Sequence, residues 1–202
     1  MKQSLLTFAF ATALLNACSA LDTQSFQNNY SLYNREALKA EKENNWNAAA
    51  RRYSLALQNS EWANEGKGVR SDFHYKLGRA LGATCQFDAS EQNLAQAHQF
   101  NPRMPQALAE LGRLKLAQNQ LLDALSFFER ALPDLQKSAN ADPIGVAEIL
   151  DDYSIALGKS NKEADARAIA KRAGELRAGN AGKTASMIKP PYGGQCPEKK
   201  SS

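Results

Sequence analysis

The chain has 202 residues, of which 43% are hydrophobic and 23% charged, so it can bury a core and is not disordered throughout. The 25 Lys and Arg residues exceed the 21 Asp and Glu residues by only four, an excess too small to indicate nucleic-acid binding. With 12 Gly and 3 Cys, the composition also excludes a collagen, a dense disulfide scaffold and a Cys-rich metal domain.

The first residues have the pattern of a secretory signal. Lys2 precedes an apolar stretch, Leu5 to Leu15, which is too short to cross a bilayer core of about 30 Å as a helix. The sequence Leu-Asn-Ala-Cys that ends at Cys18 resembles the bacterial lipobox, in which an invariant Cys receives a lipid. This resemblance implies that residues 1–17 are a lipoprotein signal peptide and that Cys18 carries the lipid.

The residue after Cys18 bears on the location of the protein. It is Ser19 and not Asp, which by the sorting rule of enteric bacteria implies the periplasmic face of the outer membrane. The alternative is a plain signal peptide, cleaved after Ala17 or Ala20, which would leave a soluble periplasmic protein. Residues 18–29 are polar and amide-rich, and we expect them to form a tether without regular structure before Tyr30.

Past the tether, the chain repeats. Six pairs of positions share one spacing and a matching residue type: Leu77 and Leu111, Gly78 and Gly112, Phe87 and Leu121, Ser90 and Ala124, Leu94 and Phe128, Ala97 and Ala131. This pattern resembles the tetratricopeptide (TPR) repeat, a helix-turn-helix of about 34 residues with Leu-Gly in helix A, small and large residues alternating in helix B, and a closing Pro, here Pro102. The apolar residues follow helical spacing within each unit.

Two more units complete the array, because one helix pair cannot bury its own faces. Somewhat longer shifts align Trp46 with Phe87 upstream and Ala131 with Ala173 downstream, and so define a first and a fourth repeat. The extra residues are assigned to loops at 61–70 and 136–143. The resemblance implies an all-α TPR α-solenoid of about four helix-turn-helix repeats over residues 30–178. We predict eight helices, near 30–43, 46–59, 70–84, 87–99, 104–118, 121–136, 144–159 and 162–178.

The same resemblance implies a binding groove. In TPR arrays the A helices line a concave face, where a peptide or helix of a partner lies. The corresponding positions here are Asn34, Leu38, Tyr75, Lys76, Arg79, Gln106, Ala109 and Arg113. Arg79 and Arg113 are one repeat apart, so they stack on one face. There they either hold a carboxylate or an extended backbone, or they form ordinary solvated helix surface. Leu38 stands where chaperone-binding TPR domains have an Asn, which excludes that specialised partner.

The C-terminal residues 179–202 contain four Gly and three Pro without a helical period, and we expect a disordered basic tail. From Lys159 onward the net charge is +6. Such an end is suited to anionic lipid, peptidoglycan acids or an acidic partner, or is only a solvated face.

Two cysteines remain once Cys18 is lipidated. Cys85 falls at the turn between the helices of repeat two, and Cys196 falls in the tail. In an oxidising compartment they either form a disulfide that pins the tail across the repeats or stay unpaired.

No catalytic, cofactor or metal site is predicted. Neither His74 nor His98 has a partner at metal-ligand spacing, and no phosphate loop or nucleophile motif occurs. The sequence therefore predicts a non-catalytic envelope adaptor that holds another envelope protein or peptide in its concave face. TPR lipoproteins of this kind include pilotins, subunits of β-barrel assembly machinery and adaptors of peptidoglycan enzymes. The alternatives are a soluble periplasmic TPR protein that self-associates and, disfavoured by the missing site, an enzyme; the oligomeric state is left open.

Overall fold

The computed structural model describes residues 3–137, 142–194 and 196, and of residues 3–21 it describes the backbone alone. The side chain of Cys18 therefore lies outside the described part of the chain. The described residues form eight α-helices and contain no strand: α1 (Gln3–Lys42), α2 (Trp46–Trp62), α3 (Lys67–Ala83), α4 (Phe87–Phe100), α5 (Pro105–Ala117), α6 (Leu121–Lys137), α7 (Pro143–Lys159) and α8 (Glu163–Ala178).

The helices pack in sequential pairs. α1 packs on α2, α3 on α4, α5 on α6 and α7 on α8, and each pair stacks on the next through α2 and α3, α4 and α5, and α6 and α7. Odd-numbered helices also meet directly, α3 with α5 and α5 with α7. This arrangement is an all-α, TPR-like solenoid whose inner layer consists of the odd-numbered helices, which are the A helices of the predicted repeats.

The repeated glycines set how closely the two helices of a pair approach. A Cβ added to Gly78 would lie 2.7 Å from Cγ of Leu94, and one added to Gly112 would lie 2.8 Å from the ring of Phe128. Leu94 and Phe128 are fully buried. In each unit, the missing side chain of helix A thus makes room for the largest core residue of helix B.

One turn position repeats with the helices. Asn44, Cys85, Asn119 and Asn161 have φ between 56° and 65°, the left-handed conformation, at the junction of helix A and helix B. The separations between successive members match those of the predicted repeats. Asn tolerates this conformation better than most residues, so Cys85 is the exception among the four turns.

The structure corrects the predicted tether. Residues 22–29 are helical and continue into the rest of α1. The ring centroids of Phe26 and Trp62 lie 5.4 Å apart, and Gln27 and Tyr30 both donate hydrogen bonds to Oε1 of Glu65, at 2.9 and 3.0 Å. These contacts with the end of α2 and the turn after it give the polar segment partners that its composition does not reveal, and so they extend helix A of repeat one.

The inter-repeat loops are also shorter than predicted. α2 ends at Trp62 and α3 begins at Lys67, so most of the extra residues of this repeat lengthen the two helices. In the second predicted loop, α6 continues to Lys137 and residues 138–141 lie outside the described chain. Asp142 caps α7, whose first residue is Pro143, and accepts hydrogen bonds from the N–H groups of Ile144 and Gly145 at 3.1 Å.

Within the described residues, none of the helices combines the length and the apolar character that crossing a membrane requires.

Candidate functional site

The inner face of α3, α5 and α7 is crossed by a segment of the chain itself. We call Ser186–Tyr192 (sequence SMIKPPY) the strap, and we call the surface beneath it the groove. The groove is built by Tyr75, Arg79, Glu110, Arg113, Glu148 and Asp152. Both predicted groove arginines thus lie beneath the C-terminal segment.

Arg79 holds the backbone of the strap. Its side chain is only 1% exposed, and its Nη2 donates a hydrogen bond to the carbonyl oxygen of Ile188. Nη1 donates to Oε1 of Glu41 at 3.3 Å, and the guanidinium lies 5.6 Å from the ring centroid of Tyr75. The buried guanidinium therefore binds both a carboxylate of the protein and a peptide carbonyl.

Arg113 organises the acidic side chains of the groove. Its Nε lies 2.7 Å from Oδ2 of Asp152, its Nη1 2.8 Å from Oε1 of Glu110, and its Nη2 3.8 Å from Oε2 of Glu148. Burial lowers the pKa of the Arg113 guanidinium, but Glu110 and Asp152 more than offset this and hold the pKa above its ordinary value. Arg113 stays charged and fixes two carboxylates in place.

The groove is acidic once its charges are counted. Four carboxylates face its two guanidinium groups, Arg79 and Arg113: Glu110, Glu148 and Asp152 belong to the groove, and Glu41 of α1 pairs with Arg79. The strap supplies one more cation, because Nζ of Lys189 lies 2.6 Å from Oδ1 of Asp152. The surplus of negative charge favours a cationic ligand.

The side chain of Tyr192, the last residue of the strap, fits closely against Gly82 and Glu110. Its hydroxyl donates a hydrogen bond to Oε2 of Glu110 at 2.7 Å, and its ring lies 2.6 Å from the position that a Cβ on Gly82 would occupy. Burial and the neighbouring carboxylate of Glu110 raise the pKa of Tyr192 well above its ordinary value of 10.0. The phenol therefore remains a hydrogen-bond donor at neutral pH.

The strap is fixed at both ends. Beyond Tyr192, Cys196 forms a disulfide with Cys85, with a Cα–Cα distance of 5.5 Å. Before the strap turns into the groove, the N–H of Ser186 donates to Oδ2 of Asp142 at 2.6 Å. Burial raises the pKa of Asp142, but the backbone N–H groups of Ser186, Gly145 and Ile144 outweigh it and lower that pKa below its ordinary value. Of the two alternatives for the cysteines, the structure contains the disulfide.

The strap does not fill the groove completely. A cavity of about 180 Å³ remains between it and the helices, lined among others by Tyr75, Gln106, Ile149 and Met187. The hydroxyl of Tyr75 lies 3.8 Å from the sulfur of Met187 at its edge.

The structure brings some of the predicted groove residues together and separates others. Four of them line the same cavity, the one beneath the strap: Tyr75, Arg79, Gln106 and Arg113. Asn34 lies at a different point of the inner layer, where its Oδ1 accepts a hydrogen bond from Nζ of Lys76 at 3.1 Å. Leu38 is half-buried and Ala109 is buried in the core.

Two expectations for this face need correction. Arg79 and Arg113 are not solvated helix surface, and they do not await a carboxylate from a partner, because carboxylates of the chain already pair with both. The tail is not disordered over residues 179–194, since Pro190 is buried and the strap is held by hydrogen bonds and a disulfide. Its Gly and Pro content excludes a helix there but leaves an extended, packed conformation possible.

Sequence reasoning missed the acidic half of the groove, although a signal was present. Lys76 stands at a predicted groove position, and the repeat register carries that position to Glu110 in the third repeat and to Asp152 in the fourth. Gln106 is carried in the same way to Glu148. Applying the register to every predicted position identifies all three acids.

His74 contacts side chains of α4. Nδ1 of His74 lies 2.9 Å from Oδ1 of Asn93, and its ring packs against Phe100. Among the described residues, no group of three or more His, Cys, Asp or Glu side chains is arranged to hold a metal ion.

The chain is similar to several solved structures at low sequence identity. It is similar to BtubC (BKLC) from P. vanneervenii with a TM-score of 0.67 and 19% identity, over 79% of this chain and 69% of that chain. It is similar to MamA with a TM-score of 0.51 and 15% identity, over 71% and 95% of the two chains. A putative kinesin light chain of Podosopora anserina with nearly identical TPR-like repeats gives a TM-score of 0.47 at 15% identity, over 84% and 97%. No family model and no curated protein matches the sequence.

Proposed function

We propose that this protein is a non-catalytic interaction scaffold of the bacterial cell envelope, which holds another envelope protein on the inner face of its solenoid. The observation that carries this proposal is the groove. The buried side chains of the groove bind a segment without helix or strand, through a backbone carbonyl, a lysine and a tyrosine hydroxyl. A surface with these properties recognises peptide.

We further propose that the scaffold is anchored through a lipid on Cys18 at the periplasmic face of the outer membrane. The lipobox-like sequence before Cys18 and the Ser after it support this location. The Cys85–Cys196 disulfide supports an oxidising compartment, because disulfides persist outside the cytosol. Attachment of two or more acyl chains would give firm membrane binding, whereas one chain binds only marginally.

The anchor is tested by replacing its acceptor. Cells that express the wild-type chain or the Cys18→Ser variant are grown with an alkyne-bearing fatty acid, and the purified protein and the membrane fraction are assayed for label. We expect label and outer-membrane fractionation for the wild type and neither for Cys18→Ser. An unlabelled wild type in the soluble periplasm would contradict the anchor and favour the plain signal peptide.

The interaction surface is tested by photo-crosslinking in cells. A photoreactive residue replaces Gln106, which is exposed at the edge of the groove, and in a matched control it replaces Gln92, which is exposed on α4. Because the strap covers the groove, both probes are used in the wild-type chain and in the disulfide-free Cys85→Asn variant. We expect a discrete adduct to another envelope protein from Gln106 alone. Silence at Gln106 in both backgrounds would contradict the inner face as the working surface.

A further inference from the structure

The strap is bound as a peptide ligand is bound, through a main-chain carbonyl and two side chains. This inference rests on the proposed function and deepens it by naming the class of peptide and the control of access. Three contacts define the recognition: Arg79 binds the carbonyl of Ile188, Asp152 binds the ammonium of Lys189, and Glu110 accepts from the hydroxyl of Tyr192. Pro190 and Pro191 lie between the lysine and the tyrosine, and the fixed φ of proline leaves this stretch little conformational entropy to lose.

The charges beneath the strap select the same kind of ligand. Without the strap, the two guanidinium groups of the groove face four carboxylates, and Asp152 loses the ammonium of Lys189. Asp152 is nearly buried, with its side chain 8% exposed. A buried carboxylate that loses one of its two cationic partners becomes less stable, so the open groove favours any segment that returns a cation to that position.

The disulfide determines which segment occupies the groove. The chain itself holds the strap near the groove from α8 on one side, and the bond of Cys196 to Cys85 holds it from the other side and raises its effective concentration there further. A peptide in solution competes against this intramolecular copy, and it competes least well while the bond is intact. A dithiol reductant would open the bond by thiol–disulfide exchange, in which the reductant becomes a disulfide and Cys85 and Cys196 each gain a hydrogen.

We propose that the groove is a binding site for a peptide segment with a lysine or arginine, a short Pro-rich spacer and a tyrosine, and that the strap, tied by the Cys85–Cys196 disulfide, is an internal copy of this ligand that keeps the site closed. Reduction of the disulfide converts the closed groove into one that a partner segment can enter.

The test uses the full chain and a synthetic probe. A fluorescein-labelled peptide of residues 183–194 is titrated with the oxidised wild type, with the wild type treated with a dithiol, and with Cys85→Asn, and binding is followed by fluorescence anisotropy. Cys85→Asn is chosen because the other three repeats have Asn at this left-handed turn, so the variant removes the disulfide and retains a turn residue the fold accepts. Hydrogen–deuterium exchange of residues 186–192 reports in parallel whether the strap leaves the groove.

We expect no saturable binding to the oxidised wild type, and saturable binding to both the reduced wild type and Cys85→Asn, with faster exchange of the strap. A peptide with Lys189→Glu should bind Cys85→Asn more weakly by roughly tenfold or more. Asp152→Asn in the Cys85→Asn protein should weaken binding to a similar extent. The adjacent Asp151→Asn should not, because Asp151 pairs with Arg177 and not with the strap.

Three results would overturn the proposal. They are equal binding to the oxidised and disulfide-free proteins, no binding to a disulfide-free protein whose helices are intact by circular dichroism, and unchanged protection of the strap after reduction. Each of these results is compatible with an in-cell adduct at Gln106. Failure of this proposal is therefore distinguishable from failure of the scaffold function. Conversely, peptide binding in solution without any adduct in cells would leave the groove chemistry standing and contradict the envelope partner.

Discussion

At the scale of single residues, the two repeated glycines make the sharpest prediction. A Cβ at Gly112 would lie within 3.0 Å of three atoms of the buried Phe128 ring. Since the ring is packed on all sides in the core, we expect Gly112→Ala to destabilise the protein by about 1–3 kcal/mol, even though Ala is favoured over Gly in a helix by up to about 1 kcal/mol.

The control for this substitution is Gly174 in α8, where an added Cβ would meet no atom within 4 Å beyond its chain neighbours and the adjacent backbone of its own helix. Here only the helix propensity acts, and Gly174→Ala should stabilise by up to about 1 kcal/mol. Urea unfolding followed by circular dichroism measures both. Equal effects of the two substitutions would contradict the close approach of α5 and α6 at Gly112.

The raised pKa of Tyr192 predicts that docking of the strap weakens at alkaline pH. In the released strap the phenol loses its proton near the ordinary value of 10.0, whereas in the groove it stays protonated at that pH, because burial and Glu110 disfavour the phenolate. The contribution of Tyr192 to docking is therefore complete below about pH 10 and declines as the pH rises above that value.

The measurement is a titration of tyrosinate absorbance in the near ultraviolet for the oxidised wild type and for Tyr192→Phe. The difference between the two curves isolates the titration of Tyr192, which we expect above the ordinary value of 10.0. The same pair of titrations is made in the Cys85→Asn background, where the strap is free to leave. There we expect the midpoint of the difference curve to move back toward that value. A wild-type difference curve centred at the ordinary value would mean that the hydroxyl of Tyr192 is not held by Glu110.

Residue type and repeat register together locate most of the groove, and they do not reveal its occupant. Arg79 and Arg113 follow from their spacing of one repeat, and Glu110 follows from Lys76 by the same register. The contact of Tyr192 with Gly82 joins residues far apart in the sequence and has no periodic signal, so local sequence patterns do not predict it. For the same reason the sequence leaves the Cys85–Cys196 disulfide as one of two alternatives.

At the scale of helices, the repeat pattern predicts seven of the eight elements to within a few residues, because each has an apolar face fixed by its neighbours. The exceptions are places where packing overrides composition. α1 continues through the polar residues 22–29, and α2 and α3 lengthen into the predicted loop. In each case contacts between helix ends stabilise turns that the local sequence leaves undecided.

This view of α1 gives a test at the level of the element. Glu65 accepts hydrogen bonds from both Gln27 and Tyr30, so Glu65→Ala should release the part of α1 that precedes the first repeat. We expect faster hydrogen exchange in residues 22–30 and no change in α5 or α7. Glu61→Ala, an exposed acid one turn earlier on α2, is the control and should leave the exchange of residues 22–30 as it is. Equal exchange in the two variants would show that Glu65 does not hold this segment.

At the scale of the whole molecule, the C-terminal segment connects units that a solenoid otherwise links only to their neighbours. In a repeat protein, stability is approximately a sum over adjacent units, and terminal units open first. The strap contacts α3 through Arg79, α5 through Glu110 and α7 through Asp152, and the disulfide returns it to the turn after α3. Repeats two, three and four are thereby coupled, and we expect them to unfold together while the bond is intact.

The last prediction concerns the disulfide, which joins two cysteines with a sequence separation of 111. In the chain-entropy description, a loop of this size restricts the unfolded chain enough to contribute about 4–5 kcal/mol, and removal of native disulfides typically costs about 2–5 kcal/mol. We therefore expect Cys196→Ser to lower the free energy of unfolding by about that amount in urea, and the wild type in a dithiol reductant to match it. Cys85→Asn removes the same bond but places Asn in the left-handed turn, so it should lose less than Cys196→Ser by a few tenths to about 1 kcal/mol. If Cys85→Asn were instead the less stable of the two, the turn would require Cys for a reason other than the bond, and its equivalence to Asn44, Asn119 and Asn161 would be wrong.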